Sequence, residues 1–240
     1  MVPRMMKALN VSSGRRDFLA WMLAAPALAA CSVDASENAG GDAPADRSAD
    51  DEVAESESEL RTCSATQRDA EGPYFSPGSP TRSVLVAGLG EPGVRLLVEG
   101  RLLGPDCRTP LRGYAIDLWQ ADASGNYYDS SQSAYRLRGK IVSDSSGRYR
   151  FETVLPGRYG DAGGIRPAHI HAKILTPGGN PLLTTQLYFA GDPYLGPADY
   201  CTRQRTCNSG DAKRALTLTN ATVSGKAGKR ATFDAVVSRT

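Results

Sequence analysis

The sequence predicts an all-β domain, a β-sandwich of mainly antiparallel strands with long functional loops. Three observations support this prediction. Short runs rich in β-branched and aromatic residues recur from about residue 60 onward. Clusters of Gly, Pro, Asn and Asp separate these runs, and the chain holds 25 Gly and 15 Pro among its 240 residues. No long stretch shows the 3.6-residue apolar period of an amphipathic helix.

Seven segments carry the strand pattern. They are residues 94–103, 114–121, 149–154, 169–175, 182–190, 214–223 and 230–237. Many short strands at this spacing, with turn residues between them, are typical of a sandwich or a barrel. We therefore assign one folded domain to residues 63–240.

The first 31 residues resemble an export signal. A twin-arginine-like GRRDFL at 14–19 leads into an apolar stretch of 13 residues at 18–30, which is too short to span a bilayer. LAAC at 28–31 resembles a bacterial lipobox, so we expect Cys31 to be lipidated. A plain signal peptide with an incidental Cys31 is the alternative. The signal predicts an exported protein at the cell envelope, held to the membrane by an N-terminal lipid anchor.

We predict that residues 32–62 form an acidic, disordered tether. Within 32–59 there are ten acids, one Arg and almost no large apolar side chain, so the segment cannot bury enough surface to fold. The formal net charge of +2 therefore conceals a basic folded part, which suits anionic partners. No basic stripe interleaved with aromatic residues is present, so we do not predict nucleic-acid binding.

Four cysteines remain after Cys31, at positions 63, 107, 201 and 207. In an exported domain this number predicts two disulfides, with three pairings open. A local Cys201–Cys207 loop would leave Cys63 to pair with Cys107. No CxxC spacing indicates a zinc knuckle.

Both histidines of the chain stand in one predicted strand, at His169 and His171. Side chains alternate along a strand, so the two imidazoles point to one face while Ile170 and its period-2 neighbours face the core. Two imidazoles on one face can chelate a metal ion, although an ordinary hydrogen-bonded histidine pair is the alternative. With only two histidines, any metal site must recruit other ligand types.

Further segments complete a pattern around these histidines. In chain order the pattern consists of EGPYF at 71–75, WQADASGNY at 119–127, PGRY at 156–159, RPAHIH at 166–171 and TTQLYFAGDP at 184–193. Together they resemble the intradiol ring-cleavage dioxygenases, and they are most similar to protocatechuate 3,4-dioxygenase-type chains. Because the motifs occur in order over more than a hundred residues, chance is a poor explanation for them.

The resemblance implies a non-haem Fe(III) cofactor held by Tyr127, Tyr159, His169 and His171. Ferric ion is hard and highly charged, so it favours anionic oxygen donors beside imidazole. Two tyrosinates and one hydroxide would balance its charge, which matters in a semi-buried site. Tyr128 is the alternative to its neighbour Tyr127, whose spacing from the WQA segment matches the family.

Other residues receive roles through the same resemblance. Arg166 would stabilise negative charge on the substrate, and Gln186 would hydrogen-bond to substrate or intermediate. Tyr159 would also act in catalysis, as the ligand that the substrate displaces. Tyr74 and Trp119 would line the substrate pocket, although packing explains both equally well.

The resemblance implies cleavage of a catechol-type diol by O₂, between the hydroxyl-bearing carbons, to a cis,cis-muconate-type dicarboxylate. A non-catalytic, envelope-tethered binding module for catechol-like ligands on the same fold is the first alternative, and a Zn or Cu site built on HxH is the second. GDAGG at 160–164 replaces an aromatic of the protocatechuate enzymes, which leaves the substrate open. The oligomeric state, a homo-oligomer included, stays open as well.

Overall fold

The computed structural model describes residues 63–86, 90–128, 135–161 and 164–238. The predicted signal with Cys31 and the predicted tether at 32–62 lie outside the described residues. Within the described ranges the regular structure is almost entirely β-strand, which confirms the predicted all-β class. None of the helices described there is long and apolar enough to cross a membrane.

Twelve strands and a single turn of α-helix make up the described regular structure, besides short 3₁₀ turns. They are β1 Arg95–Leu103, β2 Ala115–Gln120, β3 Arg138–Val142, β4 Arg148–Val154, β5 Tyr159–Asp161, β6 Gly164–Arg166, β7 His169–Leu175, β8 Pro181–Phe189, α1 Tyr200–Arg203, β9 Ala215–Leu216, β10 Thr219–Val223, β11 Lys226–Thr232 and β12 Ala235–Val236.

These strands form two five-stranded sheets and a small hairpin. One sheet has the order β10-β11-β1-β12 with β4 on β1, the other has the order β3-β2-β7-β8-β9, and β5 pairs with β6. Strand β1 runs parallel to β11 and to β12, and β8 runs parallel to β9. The other described pairings are antiparallel, so the sheets are mixed but mainly antiparallel, as predicted.

Two predicted strands are wrong in extent, because each divides into two pieces. Residues 214–223 form β9 and β10, which belong to different sheets. Residues 230–237 hold the end of β11 and the separate β12. Between these pieces the backbone passes so close to β1 that a Cβ on Gly100 would lie 1.8 Å from the Phe233 carbonyl oxygen. The sequence also failed to predict β3, β5 and β6, of which β5 and β6 have only three residues each.

The core lies between the two large sheets. Val98 and Phe151 of the first sheet and Leu118 and Ile170 of the second are fully buried in one apolar cluster. On β7 the alternate residues Ile170, Ala172 and Ile174 all join that cluster, as their period predicted. The histidines of β7 therefore lie on the opposite face of the sheet, away from the core.

The N-terminal segment 66–75 covers this opposite face. Its backbone N–H at Asp69 donates to the Thr184 carbonyl at 2.9 Å, and its Gln67 carbonyl accepts from the Thr185 hydroxyl at 2.8 Å. His169 and His171 are only 2% and 1% exposed as a result. Both faces of β7 are thus buried, one by apolar packing in the core and the other by the N-terminal segment 66–75.

Two disulfides cross-link the described residues. They are Cys63–Cys107 and Cys201–Cys207, with Cα–Cα distances of 5.9 and 5.4 Å. They confirm the predicted number and select one of the three pairings that the sequence left open. The first bond ties the start of the covering segment to the loop after β1. The second closes a local loop that contains α1.

Replacing both Cys63 and Cys107 with Ser is expected to lower the free energy of unfolding by about 4 kcal/mol, because the bond closes a sequence separation of 44 residues. The paired control, Cys201 and Cys207 to Ser, opens a separation of 6 and should cost only about 2 kcal/mol. Urea unfolding followed by fluorescence measures both losses. A larger loss in the control would contradict this ranking.

Candidate metal centre and its cavity

Three neighbouring strands position one row of the site. Trp119 on β2 and Gln186 on β8 stand directly opposite His171 on β7, and Tyr188 stands opposite His169. Residues opposite one another in antiparallel strands share a face, so these side chains are neighbours by register alone. The Trp119 indole stacks on the His171 ring with centroids 4.7 Å apart and an interplanar angle of 6°.

Trp119 is deeply packed beside His171. Its side chain is 1% exposed and also contacts Phe75, with ring centroids 4.9 Å apart. These contacts fit the packing role that the sequence left open for Trp119 beside a place in the substrate pocket.

The two imidazoles converge through their Nε2 atoms. His169 Nδ1 lies 2.7 Å from the Pro167 carbonyl oxygen, which can only accept, so Nδ1 carries the proton and Nε2 keeps its lone pair. That Nε2 atom lies 3.2 Å from His171 Nε2 and 3.4 Å from the Tyr127 hydroxyl. One point in space is therefore bordered by two ring nitrogens and a phenol oxygen.

Burial sets the protonation of this group. Burial, reinforced by the Arg166 charge, lowers the pKa of His169 to about 3, and burial with repulsion from His169 lowers the pKa of His171 well below its ordinary value. Burial also raises the pKa of both Tyr127 and Tyr159 above the ordinary value of a phenol. At neutral pH the imidazoles are neutral donors, and the phenols keep their protons until a cation displaces them.

Tyr127 is held by a loop that Asp122 organises. Asp122 Oδ1 accepts hydrogen bonds from the backbone N–H groups of Ser124 at 2.8 Å and of Asn126 at 2.9 Å. Gly125 adopts a φ of +90°, and a Cβ there would lie 2.3 Å from the Arg158 carbonyl oxygen. The loop therefore needs glycine to bring Tyr127 alongside the strand that carries Tyr159.

Tyr128 points away from the histidines. Its hydroxyl donates to Asp122 Oδ2 at 2.7 Å, and the Arg136 guanidinium lies 4.1 Å from its ring centroid. Its ring packs against the small apolar cluster of Val86, Leu137 and Val154. Of the two candidate tyrosines, the structure brings Tyr127 to the imidazoles.

The β5–β6 hairpin delivers Tyr159 and Arg166 together, since these two residues pair across it. The Tyr159 ring stands perpendicular to the Tyr127 ring at 5.3 Å and lies 5.5 Å from the His169 ring. Arg166 Nη1 donates to the Tyr159 hydroxyl at 3.4 Å, and Arg166 Nη2 donates to Gln186 Oε1 at 2.8 Å. The predicted ligands and both polar catalytic candidates thus share one site.

Tyr74 covers the site from the N-terminal segment. Its ring stacks on the Tyr127 ring with centroids 4.2 Å apart, and its side chain is 40% exposed at the cavity mouth. The preceding turn at Gly72 has a φ of +71°, and a Cβ there would be 3.4 Å from His171 Cε1. Tyr74 therefore lies at the edge of the cavity, in contact with Tyr127.

The donor set fits a hard trivalent cation. In the described ranges no cluster of three or more His, Cys, Asp or Glu side chains is arranged to hold a metal ion. A metal at this point would have the phenols Tyr127 and Tyr159 and the two imidazoles as its nearest donors. The two Nε2 atoms lie 3.2 Å apart, close enough to reach one ion, and phenolate oxygen is a ligand that ferric ion prefers.

A cavity of about 760 Å³ opens beside this group. Tyr159 and Arg166 form its inner end, and Tyr74, Arg158 and Tyr200 lie around it. The charged side chains among its described lining residues are Arg158 and Arg166, and each forms an ion pair, with Asp192 and Asp199 respectively. Much of the remaining wall is glycine backbone, at positions 72, 125, 160 and 164.

A chain of buried polar side chains continues from Arg166 away from the cavity. The Tyr188 hydroxyl lies 2.9 Å from both Gln186 Oε1 and Asp69 Oδ2. Asp69 in turn forms an ion pair with Arg214, and both of these side chains are fully buried. Each side chain in this series is a hydrogen-bond or ion-pair partner of the next, so the series fixes the orientation of Gln186.

Sequence reasoning missed four residues of this surrounding shell. Tyr188 could have been found, because it follows a predicted site residue by two positions on the same strand face. Asp69, Asp199 and Arg214 lie outside the segment 71–193 that carries the motifs, so no local signal marked them. Among them, Asp199 contacts Arg166 directly, with Oδ1 2.9 Å from Nε.

Comparisons with known proteins identify what the chain is similar to. A family model described as dioxygenase matches residues 70–238. Catechol 1,2-dioxygenase 2 of Acinetobacter lwoffii is 36% identical over 160 residues, which covers 59% of this chain and 57% of that protein. The protocatechuate 3,4-dioxygenase beta chain of Burkholderia cepacia is 38% identical over 117 residues, covering 44% and 49%. The chain spans about half the length of the curated relatives it matches.

Solved structures extend the similarity to the fold. The dioxygenase domain of a dioxygenase carbohydrate-binding protein fusion from Streptomyces sp. SirexAA-E is 36% identical, with a TM-score of 0.58 over 74% of this chain and 100% of that one. The 3-chlorocatechol 1,2-dioxygenase from Rhodococcus opacus 1CP is 26% identical, with a TM-score of 0.63 over 78% of each chain.

Replacing Asp122 with Ala is expected to lower the free energy of unfolding by about 1 to 3 kcal/mol, because several loop donors lose their acceptor. Exchange of the Asn126 amide hydrogen should accelerate, and metal affinity should fall roughly 10- to 100-fold as Tyr127 loses its support. Hydrogen exchange and metal titration measure these effects.

The control is Asp106→Ala, which removes a comparable turn acceptor for the Arg108 and Thr109 amides far from the site. It should leave metal affinity unchanged. Equal losses of metal affinity in both variants would show that Asp122 has no specific role at Tyr127.

Proposed function

This chain belongs to the intradiol ring-cleavage dioxygenase family, and from that membership we propose that it cleaves a catechol-type diol with O₂ at an Fe(III) centre. Cleavage between the two hydroxyl-bearing carbons would release a cis,cis-muconate-type dicarboxylate. The observation that carries the proposal is the convergence of Tyr127, His169 and His171 on one buried point, with Tyr159 beside it.

The four side chains named above would hold the metal. Bound Fe(III) would supply Lewis acidity and would draw electron density from a catecholate, which makes the ring reactive toward O₂. The protein's part is to keep the imidazoles neutral and to keep the phenols in a dry site, where a phenolate without a cation is costly. The neutral nitrogens and the raised phenol pKa values agree with that part.

Tyr159 is the best placed proton acceptor. It lines the cavity, and its Oη atom is 3.4 Å from Arg166 Nη1. A Tyr159 phenolate would take a proton from an incoming catechol hydroxyl at Oη, since burial raises the pKa of this phenol. Tyr127, which is held by the Asp122 loop and stacked on Tyr74, has less freedom to move.

Arg166 is the fixed cation of the site. Its guanidinium is held at three nitrogens and points its Nη atoms toward Tyr159 and Gln186. A cation preorganised in this way would stabilise negative charge that develops on the substrate oxygens. Gln186, which donates to the Ala70 carbonyl at 2.7 Å, would keep Arg166 in place and complete the polar wall.

The cavity favours catechols that are larger than a bare ring. Its volume of about 760 Å³ lies toward the upper end of the roughly 300 to 1,000 Å³ that ligand pockets usually have. The two exposed large aromatic side chains among the described residues, Tyr74 and Tyr200, both border it. Arg158 lies near them with its Nε bound to the Asp192 carboxylate at 3.0 Å, and we propose substrates whose substituent reaches the cavity mouth beside this pair.

We also propose that the enzyme acts at the cell envelope, held by a lipid on Cys31. The support is the signal-like sequence of residues 1–31 and the acidic segment that follows it. Two disulfides in the folded part agree with an oxidising compartment.

The purified protein is expected to contain one iron per chain, to show a visible tyrosinate-to-iron absorption band, and to consume O₂ with catechols. Metal analysis, absorption spectra and oxygen uptake test this on catechol, protocatechuate, hydroxyquinol and a catechol with a longer carboxylated side chain. A coloured protein that consumes no O₂ would favour the binding module. A colourless, fully metallated protein would favour the Zn or Cu site.

Tyr127→Phe and Tyr128→Phe form a matched pair that tests the ligand set. Loss of the Tyr127 oxygen should weaken or shift the visible band and lower iron content, because that oxygen lies beside His169 Nε2. Loss of the Tyr128 oxygen should leave the band unchanged and cost about 1 kcal/mol of stability, because it removes only the hydrogen bond to Asp122. A band that changes in Tyr128→Phe alone would reverse the assignment.

A further inference from the structure

We infer that Asp199 is the positioning residue for Arg166, and that the disulfide-closed loop 199–207 holds Asp199 in place. The inference rests on the proposed function, since it assigns to this loop the orientation of the fixed cation. It adds to the site a segment that lies beyond the motif-bearing region 71–193.

The first step is the contact between Asp199 and Arg166. Arg166 Nε donates to Asp199 Oδ1 at 2.9 Å, while the Asp199 side chain is fully buried and that of Arg166 is 10% exposed. Arg166 Nη2 donates to Gln186 Oε1 at 2.8 Å. Because the guanidinium is planar, anchors at two of its nitrogens fix its plane and leave Nη1 directed at Tyr159.

The second step concerns charge. Of the carboxylates in the described ranges, Asp199 is the one that forms an ion pair with Arg166. A buried guanidinium without a partner is costly, so without Asp199 the side chain would turn toward water or another acid. Asp69 is the nearest such acid along the buried chain, and it is already paired with Arg214. Asp199 therefore keeps Arg166 at the cavity before any substrate arrives.

The third step is how Asp199 itself is held. Its Oδ1 also accepts from the Cys201 backbone N–H at 3.1 Å and caps the helix α1, while its Oδ2 accepts from the Thr202 hydroxyl at 3.2 Å. Cys201 is bonded to Cys207, so the residue whose N–H binds Asp199 is tied to the far end of the same loop. The disulfide restricts the movement of the backbone that presents the carboxylate.

The same loop borders the substrate cavity. Tyr200, Cys201 and Thr206 are among the cavity-lining residues, and the Tyr200 ring packs so closely on Gly164 of β6 that a Cβ there would lie 2.4 Å from it. Strand β6 ends in Arg166. This loop therefore makes two contacts. The Asp199 carboxylate binds Arg166 itself, and the Tyr200 ring packs on the strand that carries Arg166.

The test compares iron-loaded wild type with Asp199→Ala, Asp199→Asn and the double variant Cys201→Ser, Cys207→Ser. We expect kcat to fall roughly 100-fold in Asp199→Ala, because Arg166 stabilises charge that develops in the transition state. The fall should be about tenfold in Asp199→Asn, which keeps an acceptor at the same place, and smaller in the disulfide variant. KM should change less than kcat in all three.

Two further readouts separate positioning from general damage. Iron content should stay near wild type, since Asp199 contacts none of the four proposed ligands, whereas the visible band should shift because Arg166 Nη1 no longer donates to the Tyr159 hydroxyl. Crystal structures of the iron-loaded variants should show the Arg166 guanidinium displaced from Tyr159 and Gln186. Asp199→Asn keeps the inference testable if Asp199→Ala does not fold.

Asp211→Ala is the matched control. Asp211 likewise caps a short helix through its side chain and pairs with an arginine Nε, that of Arg214 at 3.1 Å, but it does not line the cavity. It should lower stability and leave kcat within about twofold of wild type, because Arg214 keeps its bonds to Asp69 and to the Asn208 carbonyl and so still holds the chain that reaches Gln186.

An unmoved Arg166 with wild-type kcat in Asp199→Ala would overturn the inference, and so would an equal fall of kcat in Asp211→Ala. If kcat and the position of Arg166 are unchanged in the Cys201→Ser, Cys207→Ser variant, the disulfide-closed loop has no part in holding Asp199. If wild type cleaves no catechol, the proposed function fails, and the position of Arg166 in the variant structures still decides whether Asp199 holds it.

Discussion

Burial of both faces of strand β7 is the constraint on which the rest of the structure depends. One face supplies apolar side chains to the core between the sheets, and the other carries His169 and His171 beneath the N-terminal segment 66–75. Water is excluded from both imidazoles, so their neutral forms are favoured. A neutral, preoriented pair of nitrogen donors is what a metal site requires, and burial supplies it together with the Arg166 charge and the Pro167 carbonyl that orients His169.

The same burial places demands on every polar group around the histidines. Arg166 is a buried cation and needs acceptors on all sides, which Asp199, Gln186 and the Tyr159 hydroxyl supply. Gln186 is in turn held by Tyr188 and by the Ala70 carbonyl. The site is therefore one connected polar network, and a change at any member is expected to be felt by the others. Trp119, stacked on His171, seals the network on its apolar side.

The inner and outer ends of the cavity differ in the residues that line them. The inner end holds the donor set and Arg166, where geometry is fixed by β5, β6 and β7. The outer end is bounded by glycine backbone and by the aromatic side chains Tyr74 and Tyr200, which leave room for a substituent. A rigid inner end suits a single reaction, and an open outer end suits a range of substituted rings. The loop 199–207 contributes Tyr200, Cys201 and Thr206 to the cavity wall.

Local pattern was enough to determine much of this protein. The period of two along β7 placed both histidines on one face, and the resemblance of the motifs to the intradiol family selected Tyr127, Tyr159, Arg166 and Gln186, all of which the structure brings together. Strand existence followed from residue type, since alternation and β-branched content are properties of neighbouring residues.

Only the tertiary structure decided the remainder, because it depends on contacts between distant residues. Asp122 turns Tyr128 away and leaves Tyr127 at the site, Phe75 of the covering segment packs on Trp119, and close passage over Gly100 separates β11 from β12. Asp199 binds Arg166, which lies 33 positions earlier in the sequence. No local period or motif predicts such a contact, since burial and charge pairing are properties of the folded chain.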